Sequence, residues 1–115
     1  MKNIGIDIVR NERFKVMLDD EKKYSRILSL KEREIYKSFT SEKRKLEYLA
    51  SRFAAKEALI KALNKTNINF DYTDVSVLNE ENGAPYIEFG FKTDIYVLIS
   101  LSHTDDDSIA FVVLI

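Results

Sequence analysis

Two carboxylates stand where apolar residues are expected, and both are hard oxygen donors. Asp7 interrupts the β-branched run Ile4-Gly5-Ile6-Asp7-Ile8-Val9. Strand residues alternate faces, so Asp7 shares its side with Gly5 and Val9 and not with the isoleucines. An acid buried there needs a metal ion, a positive side chain or a cluster of N–H donors to offset the cost of leaving water. The plainer role is an aspartate at the strand's end that caps the following helix, a common place for Asp. Glu57 lies four residues after Phe53 and three before Ile60, on the apolar stripe of a helical segment. Its plainer role is a rim glutamate paired with Lys61 at i+4, worth only about 0.2–0.5 kcal/mol.

Read together, the two acids suggest a magnesium site. Magnesium is typically held by one or two carboxylates with substrate phosphates and water, and needs no closed protein cage. Arg52, Lys56 and Lys61 follow the same helix and form a candidate phosphate row, although charged residues on helices are usually the solvated face, as is expected of Lys43, Arg44 and Lys45. His103 ends the apolar run in Ser100-Leu101-Ser102-His103-Thr104. A phosphate or base contact and a turn histidine bonded to nearby backbone both fit it. There is no cysteine and only 1 histidine, which excludes disulfides, thiolate nucleophiles and Cys-based zinc sites. No Ser-His-Asp or phosphate-cradling Gly-rich pattern is present.

The elements that must position these groups are legible in the periodicity. Residues 4 to 9 read as a buried strand. Phe14, Met17 and Leu18 fit a short amphipathic helix from Glu12 to about Leu18, and Ser29-Leu30-Lys31-Glu32 is a capping box before Ile35, Tyr36 and Phe39. Thr40-Ser41-Glu42 opens a long central helix, roughly 42 to 64, carrying Leu46, Leu49, Phe53, Ile60 and Leu63. The period then changes to two, giving four strands around Val75–Val77, Tyr86–Phe91, Ile95–Leu101 and Ile109–Ile115. Turn residues separate them: Asn79 to Gly83 before Pro85, Gly90 to Asp94, and His103 to Asp107. The pattern predicts one α+β domain over 1–115, with a central helix packed on a mainly antiparallel sheet.

Length and charge bound the partners. At 115 residues and 45% apolar content the chain closes one core and leaves apolar area for self-association. A net charge of −1 gives no global field for nucleic acid or membrane, so neither is an expected partner. Asp7 and Arg10 interrupt the N-terminus before any signal-length apolar stretch, so the expected location is cytoplasmic.

The string Ser51-Arg52-Phe53-Ala54-Ala55-Lys56-Glu57-Ala58-Leu59-Ile60-Lys61-Ala62 resembles the hallmark helix of the 4'-phosphopantetheinyl transferase superfamily, in its small acyl-carrier-protein-synthase branch. The opening Ile4 to Val9, the turn Asn82-Gly83-Ala84-Pro85-Tyr86 and the closing Ser100 to Thr104 resemble that family's motifs in its order. The resemblance implies transfer of phosphopantetheine from coenzyme A to a serine of an acyl carrier protein, in fatty acid biosynthesis. It also implies that Asp7 and Glu57 hold Mg2+, that Lys61 contacts the pyrophosphate, and that Arg52 and His103 bind nucleotide phosphates. In a homotrimer with sites between subunits, Arg44, Asn82, Gly83 and Thr104 would lie near the coenzyme. Arg13 and Met17, with Arg10 and Arg26, would dock the carrier on a locally basic segment. Ser51 stands where family members often have Gly, and Asn64-Lys65-Thr66-Asn67 replaces a Gly-containing turn. Taken without the resemblance, the residues leave open a magnesium-dependent phosphohydrolase and a non-enzymatic oligomeric binding module.

Overall fold

A glycine sets how closely the main helix approaches the sheet. The structure, a computed structural model, describes residues 1–115. Strand β1 (Asn3–Arg10) places Gly5 against helix α3 (Glu42–Ala62), where a Cβ on residue 5 would stand 1.9 Å from the Ala58 carbonyl oxygen and 2.8 Å from the Ala62 amide nitrogen. The helix answers with small side chains: Ala54, Ala58 and Ala62 are completely buried. Gly5→Ala therefore forces backbone against backbone. It is expected to cost at least the upper end of the ~1–3 kcal/mol typical of overpacking, lowering the melting temperature by about 10 °C or more for a domain of this size; a calorimetric scan measures it.

The first strand leads into a 3-10 helix, Asn11–Met17, then helix α1 (Glu21–Tyr24) and helix α2 (Leu30–Lys37). Phe14 and Leu18 bury as the spacing predicts, but the segment tightens to 3-10 geometry and the one-turn α1 was not foreseen. The capping box forms: the Glu32 amide donates to Ser29 Oγ at 3.3 Å and the Ser29 amide to Glu32 Oε1 at 2.8 Å. Ser41 caps α3, accepting from the Arg44 amide at 3.2 Å.

After α3 come a 3-10 turn, Tyr72–Asp74, and strands β2 (Val75–Asn79), β3 (Pro85–Phe89), β4 (Val97–His103) and β5 (Asp107–Leu114). The four expected strands form, but in two sheets. β1, β5 and β4 pair antiparallel with β5 in the middle, while β2 and β3 form a separate hairpin. Beyond Phe89 the register continues for one more bond, from the Gly90 amide to the Asp74 carbonyl at 2.7 Å. In the three-stranded sheet, Gly5, Val9, Ala110 and Val112 face α3 and are buried. On the outer face Ile4, Ile6, Ile8, Leu98 and Phe111 are 48%, 57%, 61%, 50% and 38% exposed, a contiguous apolar surface. No helix is long and apolar enough to cross a membrane.

The buried face of α3 keeps Leu49 and, at the C-cap, Leu63 of the expected apolar stripe but is rotated away from Ile60 toward alanines. Ile60 is 40% exposed, whereas Leu49, Ala50, Ala54, Ala55, Ala58 and Leu59 are wholly buried. A close helix–sheet approach selects alanine for the contact. Glu57 consequently sits half-buried at the rim of that face and does not replace a core residue.

Candidate active site

Strand alternation brings Asp7 to the α3 side of the sheet, where it meets Lys61. Lys61 Nζ donates to Asp7 Oδ1 at 3.2 Å and to the Ile6 carbonyl at 2.8 Å. The other oxygen, Asp7 Oδ2, is buried without any hydrogen-bond partner. Such an orphan acceptor is costly unless something else satisfies it. Glu57 repeats the pattern. Its Oε1 accepts from the Tyr72 hydroxyl at 2.7 Å, and no protein donor takes Oε2. Burial, and then the Glu57 carboxylate, push the Tyr72 hydroxyl up to about 12, so it is a donor at neutral pH.

Each acid thus has one oxygen held by the protein and one free. Asp7 does not cap the helix that follows it, and the pairing of Lys61 is with Asp7, not with Glu57. No group of three or more His, Cys, Asp or Glu side chains forms a closed metal cage. The donor set fits Mg2+ as a cation held by two carboxylates and completed by phosphate oxygens and water. It would suit zinc poorly, since no nitrogen or sulfur ligand is near.

The first half of α3 lines a cavity of about 760 Å³ together with α2, the β2–β3 turn and the end of β4. Four of the expected coenzyme residues meet there: Arg44, Arg52, Gly83 and His103. Phe39, Tyr48 and Leu101 add apolar surface. His103 falls on the α3-facing side of β4, and its Nδ1 lies 3.3 Å from Glu47 Oε2. Gly83, at φ 90°, closes the turn by donating its amide to the Glu80 carbonyl at 2.9 Å. This backbone conformation favours glycine. Asn82 and Thr104 are not among the lining residues. Asn82 Oδ1 accepts from the Ala84 amide at 3.0 Å, and Thr104 Oγ1 accepts from the Asp106 and Asp107 amides at 3.2 and 3.0 Å, so both side chains shape turns beside the cavity.

Arg52 is largely committed to the protein. It donates to the Val77 carbonyl at 3.1 Å, to Ser51 Oγ at 3.0 Å and to Asn79 Oδ1 at 2.6 Å, and stacks 4.1 Å above the Tyr48 ring. Ser51, where a glycine was the family expectation, is therefore one of the anchors of Arg52. Burial lowers the pKa of Arg52 and raises that of the Tyr48 hydroxyl to about 12. The atypical turn after α3 is tied to β1, since Asn3 Nδ2 donates to Asn64 Oδ1 at 2.9 Å.

Lys56 does not join a phosphate row. Its side chain is completely buried, and Nζ donates to Glu32 Oε1 at 2.6 Å, the Ile27 carbonyl at 2.7 Å and the Tyr72 carbonyl at 2.8 Å. Glu32 Oε2 in turn accepts from the Val77 amide at 2.6 Å. Burial lowers the Lys56 pKa, and the Glu32 charge opposes that shift. The sequence offered one clue, a lysine set among Ala54, Ala55, Ala58 and Leu59, but not its distant partner.

The expected carrier-docking residues lie on one basic stretch. Arg10, Arg13 and Arg26 are exposed, Met17 is half-buried against the core, and the Arg13 guanidinium rests 5.0 Å over the Phe53 ring.

Both the sequence and the fold are similar to those of holo-[acyl-carrier-protein] synthases. The chain is 44% identical over 111 residues to the holo-[acyl-carrier-protein] synthase of Acholeplasma laidlawii, covering 96% of this chain and 93% of that one. The crystal structure of the holo-(acyl-carrier-protein) synthase from Bacillus anthracis in complex with CoA (3',5'-ADP) superimposes with a TM-score of 0.86 at 38% identity, covering 98% and 95% of the two chains. The Helicobacter pylori holo-[acyl-carrier-protein] synthase in complex with coenzyme A gives 0.80 at 30% identity, covering 97% and 99%. The family profile matches residues 3–113, and the chain belongs to the 4'-phosphopantetheinyl transferase superfamily.

Proposed function

We infer that the chain transfers the 4'-phosphopantetheine of coenzyme A to a serine of apo-acyl carrier protein, leaving adenosine 3',5'-bisphosphate and supplying holo carrier for fatty acid biosynthesis. The observation that carries this reading is the pair of half-satisfied carboxylates, Asp7 Oδ2 and Glu57 Oε2, on the two elements packed at Gly5. Asp7 and Glu57 would hold Mg2+, which would supply positive charge to offset and orient the pyrophosphate. Lys61, 53% exposed along its side chain, can turn its ammonium toward the same phosphates. Arg52 and His103 bind the nucleotide phosphates, and Arg44, Asn82, Gly83 and Thr104 border the nucleotide end of the cavity. No side chain stands out as a committed base for the proton of the attacking serine, and a water or hydroxyl at the Asp7/Glu57 site is the candidate acceptor.

The chain works as a homotrimer in the cytoplasm, with coenzyme sites at subunit interfaces. The apolar outer sheet face of Ile4, Ile6, Ile8, Leu98 and Phe111 supports self-association. The acidic carrier docks on Arg13 and Met17, flanked by Arg10 and Arg26. Arg13→Glu is expected to raise KM for the carrier about tenfold while leaving KM for coenzyme A within twofold, a rim-charge effect that salt weakens. Equal changes in both constants would remove the docking role. Coenzyme A turnover tests the reaction itself. It should require the carrier, and a carrier whose acceptor serine is alanine should be inert. Metal-dependent cleavage of coenzyme A by water alone would point to a phosphohydrolase.

A further inference from the structure

One of the two metal-site carboxylates is gripped by a phenol that the protein holds rigid. Tyr72 begins the 3-10 turn between α3 and β2, and that turn is fixed from several sides. The Asp71 amide donates to Asp74 Oδ2 at 2.9 Å, and the Gly90 amide to the Asp74 carbonyl at 2.7 Å. At Gly90 a Cβ would stand 2.8 Å from that carbonyl oxygen, so the approach is too close for any side chain. Lys56 Nζ donates to the Tyr72 carbonyl at 2.8 Å. The Tyr72 ring packs on Phe53 with centroids 5.6 Å apart. With ring and backbone both held, the hydroxyl reaches Glu57 Oε1 at 2.7 Å.

The grip closes a circuit. Lys56 and Glu57 are sequence neighbours on α3, and both bond Tyr72: Lys56 takes its carbonyl, and Glu57 accepts from its hydroxyl. Lys56 cannot shift, because its ammonium is saturated by Ile27, Glu32 and Tyr72 oxygens. The geometry points to Tyr72 as the positioning residue of Glu57: its hydroxyl holds Oε1 and so fixes the rotamer in which Oε2 is offered to a divalent cation.

This inference rests on the metal-site reading above. A half-exposed glutamate otherwise samples several rotamers, and ordering it when the ion arrives weakens binding. A fixed donor on the ligand's second oxygen removes that cost beforehand, and such orienting partners typically contribute about 10- to 100-fold in metal affinity.

Tyr72→Phe tests it, since the ring, its packing on Phe53 and the carbonyl bond to Lys56 all survive. Mn2+ is titrated as the probe into wild type, Tyr72→Phe and Glu57→Ala in the presence of coenzyme A, with free Mn2+ followed by electron paramagnetic resonance and melting temperatures recorded in parallel. Tyr72→Phe is expected to bind Mn2+ about tenfold more weakly than wild type, the low end of the range for such partners, with a melting temperature within a few degrees. In the transfer assay the half-saturating Mg2+ concentration should rise by a similar factor, while the rate at saturating metal changes much less. Unchanged Mn2+ affinity overturns the role. So does weaker binding accompanied by a melting drop well beyond a few degrees, which would make Tyr72 merely structural. If wild type binds Mn2+ no better than Glu57→Ala, the metal site itself fails, a result distinct from failure of the Tyr72 role.

Discussion

Glu57→Ala is expected to slow phosphopantetheine transfer about 10³-fold while leaving the melting temperature nearly unchanged. On the proposed metal site, the rate loss follows from removing a carboxylate oxygen that would help to hold the cation on the pyrophosphate. Such charge stabilisation is worth several kcal/mol, and each ~1.4 kcal/mol is a factor of ten in rate. The small stability change follows from position. Glu57 is half-buried at the rim of α3, and its one side-chain hydrogen bond is from the Tyr72 hydroxyl. Asp7→Ala should lose activity to a similar extent, because in the proposed site both carboxylates would hold the same ion. The double variant should then be little worse than either single one, as for groups that work as a unit. Initial rates at saturating coenzyme A and carrier, across a Mg2+ titration, measure the effect. A Glu57→Ala enzyme within tenfold of wild type would separate Glu57 from the chemistry.

Lys56→Met is expected to act in the opposite way, through stability. The substitution leaves the Glu32 carboxylate buried with only the Ser29 and Val77 amides, and leaves the Ile27 and Tyr72 carbonyls without their ammonium donor. Breaking a buried ion pair by removing one partner costs about 3–5 kcal/mol. For a domain of this size that is a melting drop of about 12–20 °C. Adding Glu32→Gln should recover part of it, because the neutral amide no longer carries an unpaired charge while its oxygen still accepts from a backbone N–H. Thermal denaturation of the two single variants and the double variant checks this. A Lys56→Met protein that melts within a few degrees of wild type would show that the pair does not tie α2 and β2 to α3.

Local chemistry made much of this fold legible. The Ser29–Glu32 capping box and the Ser41 cap start their helices where the sequence places them, and α3 ends at Ala62 against an expected 64. Alternation put Asp7 on the same side as Gly5 and Val9, which the register with β5 repeats. What the sequence hid is non-local. Large apolar residues marked a stripe through Phe53 and Ile60, yet the helix meets the sheet with alanines because Gly5 lets it approach too closely for anything larger. Glu32 could be read as a capping residue but not as the counter-ion of Lys56, since their 24-residue separation carries no periodic signal. Tyr72 lay in a stretch with neither helical nor strand period, and only the packed structure brings its hydroxyl to Glu57. The acids themselves were visible because each broke an apolar pattern; their half-satisfied state was not.

The most direct test is the intact mass of an apo-acyl carrier protein after incubation with the purified protein, coenzyme A and Mg2+. The carrier should gain the mass of one phosphopantetheine, a gain absent when the metal is chelated and restored when Mg2+ is returned. A folded, metal-replete protein that leaves several competent apo carriers at their original mass would contradict it.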